Sequence, residues 1–493
     1  MKRRQFIYRL GVGSVTAVAG ANVLQSCMKH DMSPDGQAYV SVVEPPFSQP
    51  LSIAKSVVNP ANYPLVARQT LAPVIKDKNT SVLSFTSNSI ANPLFRVDKG
   101  KQFSAQYTNQ TGGKSNIHWH GLIIPAAMDG HPEATIPNGG SFQFTFPVNQ
   151  RAGTYWYHPH PHGATARQAY MGLAGMFIVQ DEEEQQLGLP AGEYELPLIL
   201  SDKRISADGA LQYNPSMEEV MTGFMGETVL VNGVAGPYHE VAPTVYRMRI
   251  LNASNARIYN LGFGTGSSFT LIGGDGGLLD TPQKVSQVLL SPGERVDLLV
   301  DFSQFSQGKA FLRSEPFNEG GQAQGRQAFN LLSFGITKSA GSGFNLPTTL
   351  STLTPLPAAT NTRTFTLDMM ETMAGHGSMG SMGMHRINQK VYDPARVDEV
   401  VKKGDTEVWV FDNSKGDEPH PMHLHGVQFR VIGRTGQRGV QPHERGWKDT
   451  VLVAPGEIVK IQMTFADHAG RFVVHCHNLE HEDDGMMLQF EIK

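Results

Sequence analysis

Cysteine, strong charge and long apolar runs are all scarce in this chain, and each shortage removes a class of protein. Only two cysteines, Cys27 and Cys476, occur in 493 residues. No disulfide framework can hold such a chain, so hydrophobic burial and strand pairing must do so, and a chain of this length has surface enough to bury. Charged residues make up 17% and the formal net charge is -4. That leaves no basic field for nucleic acid and no polybasic face for a membrane. No stretch beyond the N-terminus approaches the ~18 consecutive apolar residues of a spanning helix. What is plentiful is punctuation: 51 Gly and 30 Pro, with many Val, Thr and Phe, favour short strands joined by turns. The length suits about three domains.

The N-terminus gives Cys27 a role. Lys2-Arg3-Arg4-Gln5-Phe6-Ile7, followed by a mildly apolar run to Leu24, resembles a twin-arginine export signal. Leu24-Gln25-Ser26-Cys27 resembles a bacterial lipobox, in which Cys27 becomes the lipidated first residue of the mature protein. Cleavage after Ala19 or Ala21 by an ordinary signal peptidase is the alternative. Either way the expected location is the periplasm or the outer face of the cell envelope. A lipid there tethers the protein without spanning the bilayer.

The chemistry concentrates near the other end, in Val474-His475-Cys476-His477-Asn478-Leu479-Glu480-His481 with Met486 beyond it. If Arg471 to Val474 begin a strand, period-two alternation sends His475 and His477 to one face and Cys476 to the other. One strand then serves two metal sites. The thiolate of Cys476, the imidazole of His481 and the thioether of Met486 are three of the four groups of a blue-copper electron-transfer centre, which also needs a second imidazole from elsewhere. Three further clusters supply imidazoles: His118-Trp119-His120, His158-Pro159-His160, and His420-Pro421-Met422-His423-Leu424-His425. By chance, 18 His in 493 residues would give about 0.7 His-any-His pairs, whereas 118/120, 158/160, 160/162, 423/425 and 475/477 make five. One such pair is unremarkable on a wet strand; four clusters together with Cys476 read as metal sites.

In order and internal spacing these four segments resemble the copper-binding motifs of the multicopper oxidases, the family of laccases, ferroxidases and cuprous oxidases. The resemblance implies four copper ions. It assigns His420, Cys476 and His481 to a type 1 copper with Met486 axial, and His118 and His423 to the type 2 ion. The type 3 pair would be held by His120, His158 and His477 on one side and by His160, His425 and His475 on the other. All ten histidines and the cysteine are present. Members of this fold that have lost copper and serve as binding or cell-division scaffolds abandon these ligands, which this chain keeps.

The chain also repeats. Val97 to Asn109 leads to the first His cluster as Val401 to Asn413 leads to the third, and Val241 to Ala253 is a middle copy without histidines. The turn Ser291-Pro292-Gly293-Glu294-Arg295 matches Ala454-Pro455-Gly456-Glu457-Ile458. Three all-β, cupredoxin-like Greek-key sandwiches are expected, at 66–185, 190–338 and 358–493, after a signal segment 1–27 and a linker 28–65 that wraps onto the first domain. Ligands occur only in the outer two copies. The cluster therefore belongs at their contact, with the middle domain as a spacer.

Dioxygen reduction to water needs protons at a buried site, so carboxylates are expected beside it. Glu482 and Asp129 match positions where the family keeps acids. His162 has no place in the motif and reads as a neighbour of the site or a surface residue; His30, His131, His239, His443 and His468 read as structural or exposed.

For the substrate, Met369, Met370, Met373, Met379, Met382 and Met384 lie with His376 and His385 in seventeen residues. Thioethers prefer Cu(I). The segment resembles a shortened Met-rich insert of bacterial cuprous oxidases, and Asp417 and Glu418 ahead of His420 would help guide the ion. Oxidation of Cu(I) to Cu(II), a copper-tolerance function, is the expectation. A laccase acting on phenols or aromatic amines through an open apolar cleft beside His420 and His481 is the alternative. The expected partners are dioxygen and a reduced metal ion or a phenolic substrate, with a monomeric chain.

Overall fold

The computed structural model describes residues 42–493 apart from 306, 307, 340, 342, 370–382 and 437. The signal segment, Cys27, His30, His376, Met370, Met373, Met379 and Met382 lie outside the described residues. Within them strands dominate, the helices are single turns or little more, and none is long and apolar enough to cross a membrane.

Among the described residues, six sheets form three two-sheet sandwiches. In the first, a five-stranded sheet centred on Tyr63–Ile75 faces a four-stranded sheet that contains Leu94–Asp98 and Gly153–Tyr157. Alternation places each strand: along Gln102–Gln110, Phe103, Ala105 and Tyr107 point inward while their neighbours are partly exposed. The Phe103 ring meets Phe95, Trp119, Phe146 and Phe177, and the Tyr107 ring meets Phe85 and Phe144, in one aromatic core. The middle sandwich has sheets of seven and eight strands around Leu198, Ile250, Leu271 and Leu298. The last has two five-stranded sheets around Phe365, Trp409, Phe411 and Phe490.

The lead-in differs from the expected linker. Val42–Val43 pairs with Ala328 and Phe329, and Gln49–Pro50 pairs with Pro237 and Tyr238, so this stretch extends a sheet of the middle sandwich. Ser56–Val58 joins the first sandwich, beside Leu94–Asp98, and the strand Tyr63–Ile75 already opens before residue 66. Backbone hydrogen bonds at a sheet edge leave no side-chain periodicity, which is why a polar, Pro-rich stretch reads as a linker.

One strand pair organises the last sandwich. His420–Leu424 lies antiparallel to Gly470–Cys476, with Met422 opposite Cys476 and His423 opposite His475. Directly opposed residues share a face. His420 and Cys476 therefore fall on one side of the sheet, and His423, His425 and His475 on the other.

Candidate metal centre

On the sulfur side, a short helix brings His481 back toward Cys476. Asn478 caps Leu479–Asp484 by accepting from the Glu480 N–H, and Gly485 ends the helix in the left-handed region (φ 109°). The helix turns the chain so that Met486 N–H donates to the His481 carbonyl (2.9 Å) and the Met486 carbonyl accepts from Cys476 N–H (3.0 Å). Cys476 Sγ stands 3.5 Å from His420 Nδ1 and 3.6 Å from His481 Nδ1, and the two nitrogens are 3.3 Å apart. Nitrogens about 2.0 Å and a sulfur about 2.3 Å from one tetrahedral ion would be separated by about 3.3 Å and about 3.5 Å. The donor set fits an ion. Burial pushes the Cys476 thiol well above its ordinary range, so only a cation at this spot would make it a thiolate.

On the opposite side eight imidazoles converge at the contact of the first and last sandwiches. His118 and His158 form a bridge between their backbones, with N–H to carbonyl distances of 2.9 and 3.1 Å. The ring nitrogens are sorted by their outer partners. His118 Nδ1 donates to the Asp129 carbonyl (2.7 Å), His423 Nδ1 to the Asp449 carbonyl (2.8 Å), His425 Nδ1 to Asp129 Oδ2 (2.7 Å) and His158 Nδ1 to the Pro159 carbonyl (2.9 Å). Each of these leaves Nε2 as a bare lone pair. His118 and His423 then face each other through Nε2 at 3.3 Å, and His475 Nε2 lies 3.2 Å from His160 Nε2 and 3.3 Å from His425 Nε2. Lone pairs aimed at one another repel unless a cation sits between them. Burial first, then the neighbouring imidazoles, holds His118, His160, His423 and His425 well below the usual histidine range, so they are neutral donors.

His120 is turned the other way. Its Nε2 is engaged by Asp449 Oδ1 (2.9 Å) and Thr450 Oγ1 (3.1 Å), and its Nδ1 is buried without a partner. His477 has both ring nitrogens buried and unpartnered, and its ring centroid lies 5.0 Å from that of His120 and 5.3 Å from that of His158. Buried, orphaned nitrogens of this kind are what a metal would satisfy.

The two acids expected near the cluster are there. Asp129 is fully buried, reaches His425 and lies 3.5 Å from His118 Nδ1. Gly130 is needed for that approach: at φ +79° a Cβ there would stand 1.9 Å from the Ile117 carbonyl oxygen. Burial holds the Asp129 carboxyl well above its usual range. Glu482, also buried, sits at ion-pair distance from His160 Nδ1 (3.4 Å) and His475 Nδ1 (3.2 Å). Its neighbours are tied to backbone amides. Asp483 accepts from Thr165 and Ala166 N–H, and Asp484 from Met384 and His385 N–H.

The middle sandwich is more than a spacer. Arg295, fully buried, donates to both oxygens of Asp449 (2.7 and 2.5 Å) and to the Thr154 carbonyl (2.9 Å). Lys448 and Asp275 continue the ion-pair network at 2.8 Å. Gly293 (φ +85°) presses on the cluster, where a Cβ would meet His477 at 3.0 Å and His120 at 3.2 Å. Sequence reading missed Asp449 and Arg295. The available signal was an arginine at the position where the matching turn has Ile458.

Among the substrate candidates, Met369 is half-buried at the end of the strand Asn361–Met369, and Met384 is buried. His385 lies flat on His481, with ring centroids 3.7 Å apart and planes at 18°. Asp417 is exposed. Glu418 is 7% exposed, with its carboxyl pushed up to about 7 by burial and by Asp417. His162 is half-buried against Tyr392 (centroids 4.8 Å), and His443 is buried beside Glu294 (3.8 Å).

Models of multicopper oxidase domains match residues 68–184, 211–332 and 359–493. The chain is 34% identical over 453 residues to a laccase of Bacillus subtilis (strain 168), a match covering 85% of this chain and 87% of that protein. This chain belongs to the multicopper oxidase family. Among solved structures, the oxidase is similar to the McoA multicopper oxidase of the hyperthermophile Aquifex aeolicus, at 36% identity and TM-score 0.82 over 90% of this chain and 99% of that one. It is also similar to the Campylobacter jejuni multicopper oxidase, titled a metallo-oxidase, at 28% identity and TM-score 0.79 over 94% of this chain and 97% of that one. Three cupredoxin-like sandwiches are the shared architecture.

Proposed function

We propose that this oxidase holds four copper ions and couples oxidation of Cu(I) to Cu(II) to the reduction of dioxygen to water. His420, Cys476 and His481, with Met486, would hold one ion; His118 and His423 a second; and the two type 3 sets named above the remaining pair. Bound there, copper supplies one-electron acceptance at the sulfur site and four-electron reduction of dioxygen at the cluster. The chain supplies the path between them. The Cys476 carbonyl accepts from His475 Nδ1 (3.1 Å), so the sulfur connects to the cluster within two adjacent residues. Glu482 and Asp129 are the acids placed beside the cluster to pass protons to it. Asp129 Oδ1, buried and without a hydrogen-bond partner, is the atom placed to carry one.

One observation favours the metal substrate. His420 and His481 are 4% and 0% exposed, and His481 is covered at Nε2 by the Met221 carbonyl (2.9 Å) and on its ring by His385. A phenol oxidised by direct contact needs an open ligand edge, and among the described residues this one is shut. The metallo-oxidase relative agrees with that reading, and the laccase relative supports the alternative.

Steady-state kinetics with Cu(I), Fe(II) and a phenol side by side test it. The highest kcat/KM is expected for Cu(I), and removal of residues 373–382 should lower it. A preference for the phenol would replace this reading with the laccase one, and no oxygen uptake with any donor would point to a copper store or scaffold. We further propose that the twin-arginine-like segment exports the chain to the cell envelope, that Cys27 carries a lipid, and that the enzyme acts as a monomer.

A further inference from the structure

Part of the cover over His481, the Met221 carbonyl, comes from the middle sandwich, and sequence reading gave it no role. It belongs to the helix Met217–Thr222, begun by a reciprocal cap in which Ser216 accepts from Glu219 N–H while Glu219 accepts from Ser216 N–H. The helix ends at Gly223, whose φ of +94° and lack of a side chain allow contact with the loop that carries His481. A Cβ there would lie 2.2 Å from Ala256 Cβ and 2.7 Å from Asn478 Nδ2. Just beyond, Phe224 N–H donates to Glu480 Oε2 (3.0 Å), and Glu480 Oε1 also accepts from Tyr213 (3.0 Å) and Asn255 (2.7 Å). The helix is therefore clamped to the residues flanking His481.

Its last turn faces the metal ligand. The Met221 carbonyl accepts from His481 Nε2 (2.9 Å) and from His385 Nε2 (3.1 Å). His385 is itself buried. Met221 is half-buried, and its carbonyl touches a ligand imidazole. Met217, one turn earlier on the same face, is 55% exposed. Side chains four residues apart on a helix sit about 5–6 Å apart at Cβ, a span that two flexible thioethers can close around one ion. Glu218, exposed on the same helix, adds negative charge. An exposed methionine at the start of a helix contributes little to folding, and a soft monovalent cation is what a pair of thioethers selects.

We propose that Met217 and Met221 form a Cu(I)-docking site at the surface, and that the electron enters through the Met221 carbonyl and its hydrogen bond to His481. This inference rests on the cuprous-oxidase reading and adds to it where the ion binds. In the step, docked Cu(I) gives up one electron and leaves as Cu(II). The electron passes to the His481 side, the oxidant is the enzyme's own dioxygen-driven chemistry, and no protein bond forms or breaks. Oxidation also releases the product, because thioethers hold Cu(II) less well than Cu(I).

The test uses the copper-loaded enzyme and Ag(I), a soft monovalent stand-in for Cu(I). Crystals soaked in Ag(I) should show anomalous silver density touching both sulfurs in the wild type and none there in M217L/M221L. In solution, M217L/M221L should raise KM for Cu(I) about tenfold while the blue absorption and the potential of the sulfur-bound copper stay at their wild-type values, because leucine leaves the Met221 carbonyl in place. The single variant M217L, at an exposed position, should give part of the KM effect and guards against a packing artefact. No silver at either sulfur at saturating Ag(I), or an unchanged KM in M217L/M221L, overturns the site. Silver on both sulfurs in a wild type that does not oxidise Cu(I) would support the site and overturn the cuprous-oxidase reading.

Discussion

Replacing Arg295 by Met should loosen a copper cluster to which its own domain gives no ligand. The guanidinium is fully buried and donates to both Asp449 oxygens, to the Thr154 and Gly293 carbonyls (2.9 Å each) and to the Asp275 carbonyl (3.0 Å). Methionine fills much of the volume and leaves the Asp449 carboxylate without its cation. Breaking a buried pair from one side costs about 3–5 kcal/mol. With an unfolding entropy of about 2 cal/mol/K per residue, a chain of this size would lose roughly 3–5 °C in Tm. The functional cost is separate. Asp449 Oδ1 holds His120 by Nε2, and loss of such an outer partner lowers metal affinity about 10- to 100-fold. The assays are thermal unfolding and copper per chain after dialysis against a graded chelator. R295K, which keeps the charge and loses the fork, should fall between R295M and the wild type. An R295M protein with wild-type Tm and wild-type copper retention would refute the argument that the middle domain braces the cluster.

Two further outcomes follow from the buried acids. Glu482→Gln should slow dioxygen reduction while leaving the blue absorption intact, and unchanged turnover at every pH would remove Glu482 from proton delivery. Glu195, at the contact of the first and middle sandwiches, is pushed up by burial but pulled down further by Arg249 and Arg96, to about 2. A depressed carboxyl stabilises fully above its ordinary value of 4.5 and loses that contribution as pH falls through about 2. Urea unfolding of Glu195→Gln should therefore show a shallower acid limb than the wild type between about pH 4.5 and pH 2, and parallel limbs would contradict this.

Much of this site was legible because its chemistry follows the strand period. The alternation His475, Cys476, His477 divides the ligands between two faces, and register repeats the division on His420–Leu424. The sorting of ring nitrogens was not legible, because it depends on carbonyls of Asp129 and Asp449 that only the fold brings near. Arg295 and Met221 escaped for the same reason: they come from a sandwich whose sequence copy has no histidine cluster, and they act through contacts across domains. The lead-in escaped because edge pairing is a backbone property. Composition and turn spacing did indicate three all-β units, since Gly and Pro punctuate strands wherever they lie.

The central claim is that the strand Gly470–Cys476 and the residue after it present sulfur to one copper and imidazoles to three others. Anomalous diffraction at the copper edge from the metal-loaded protein tests this directly. The account predicts one peak in contact with Cys476 Sγ, His420 Nδ1 and His481 Nδ1, and three more among the eight converging histidines. Density confined to one side of that strand, or a fully loaded protein without blue colour, would contradict it.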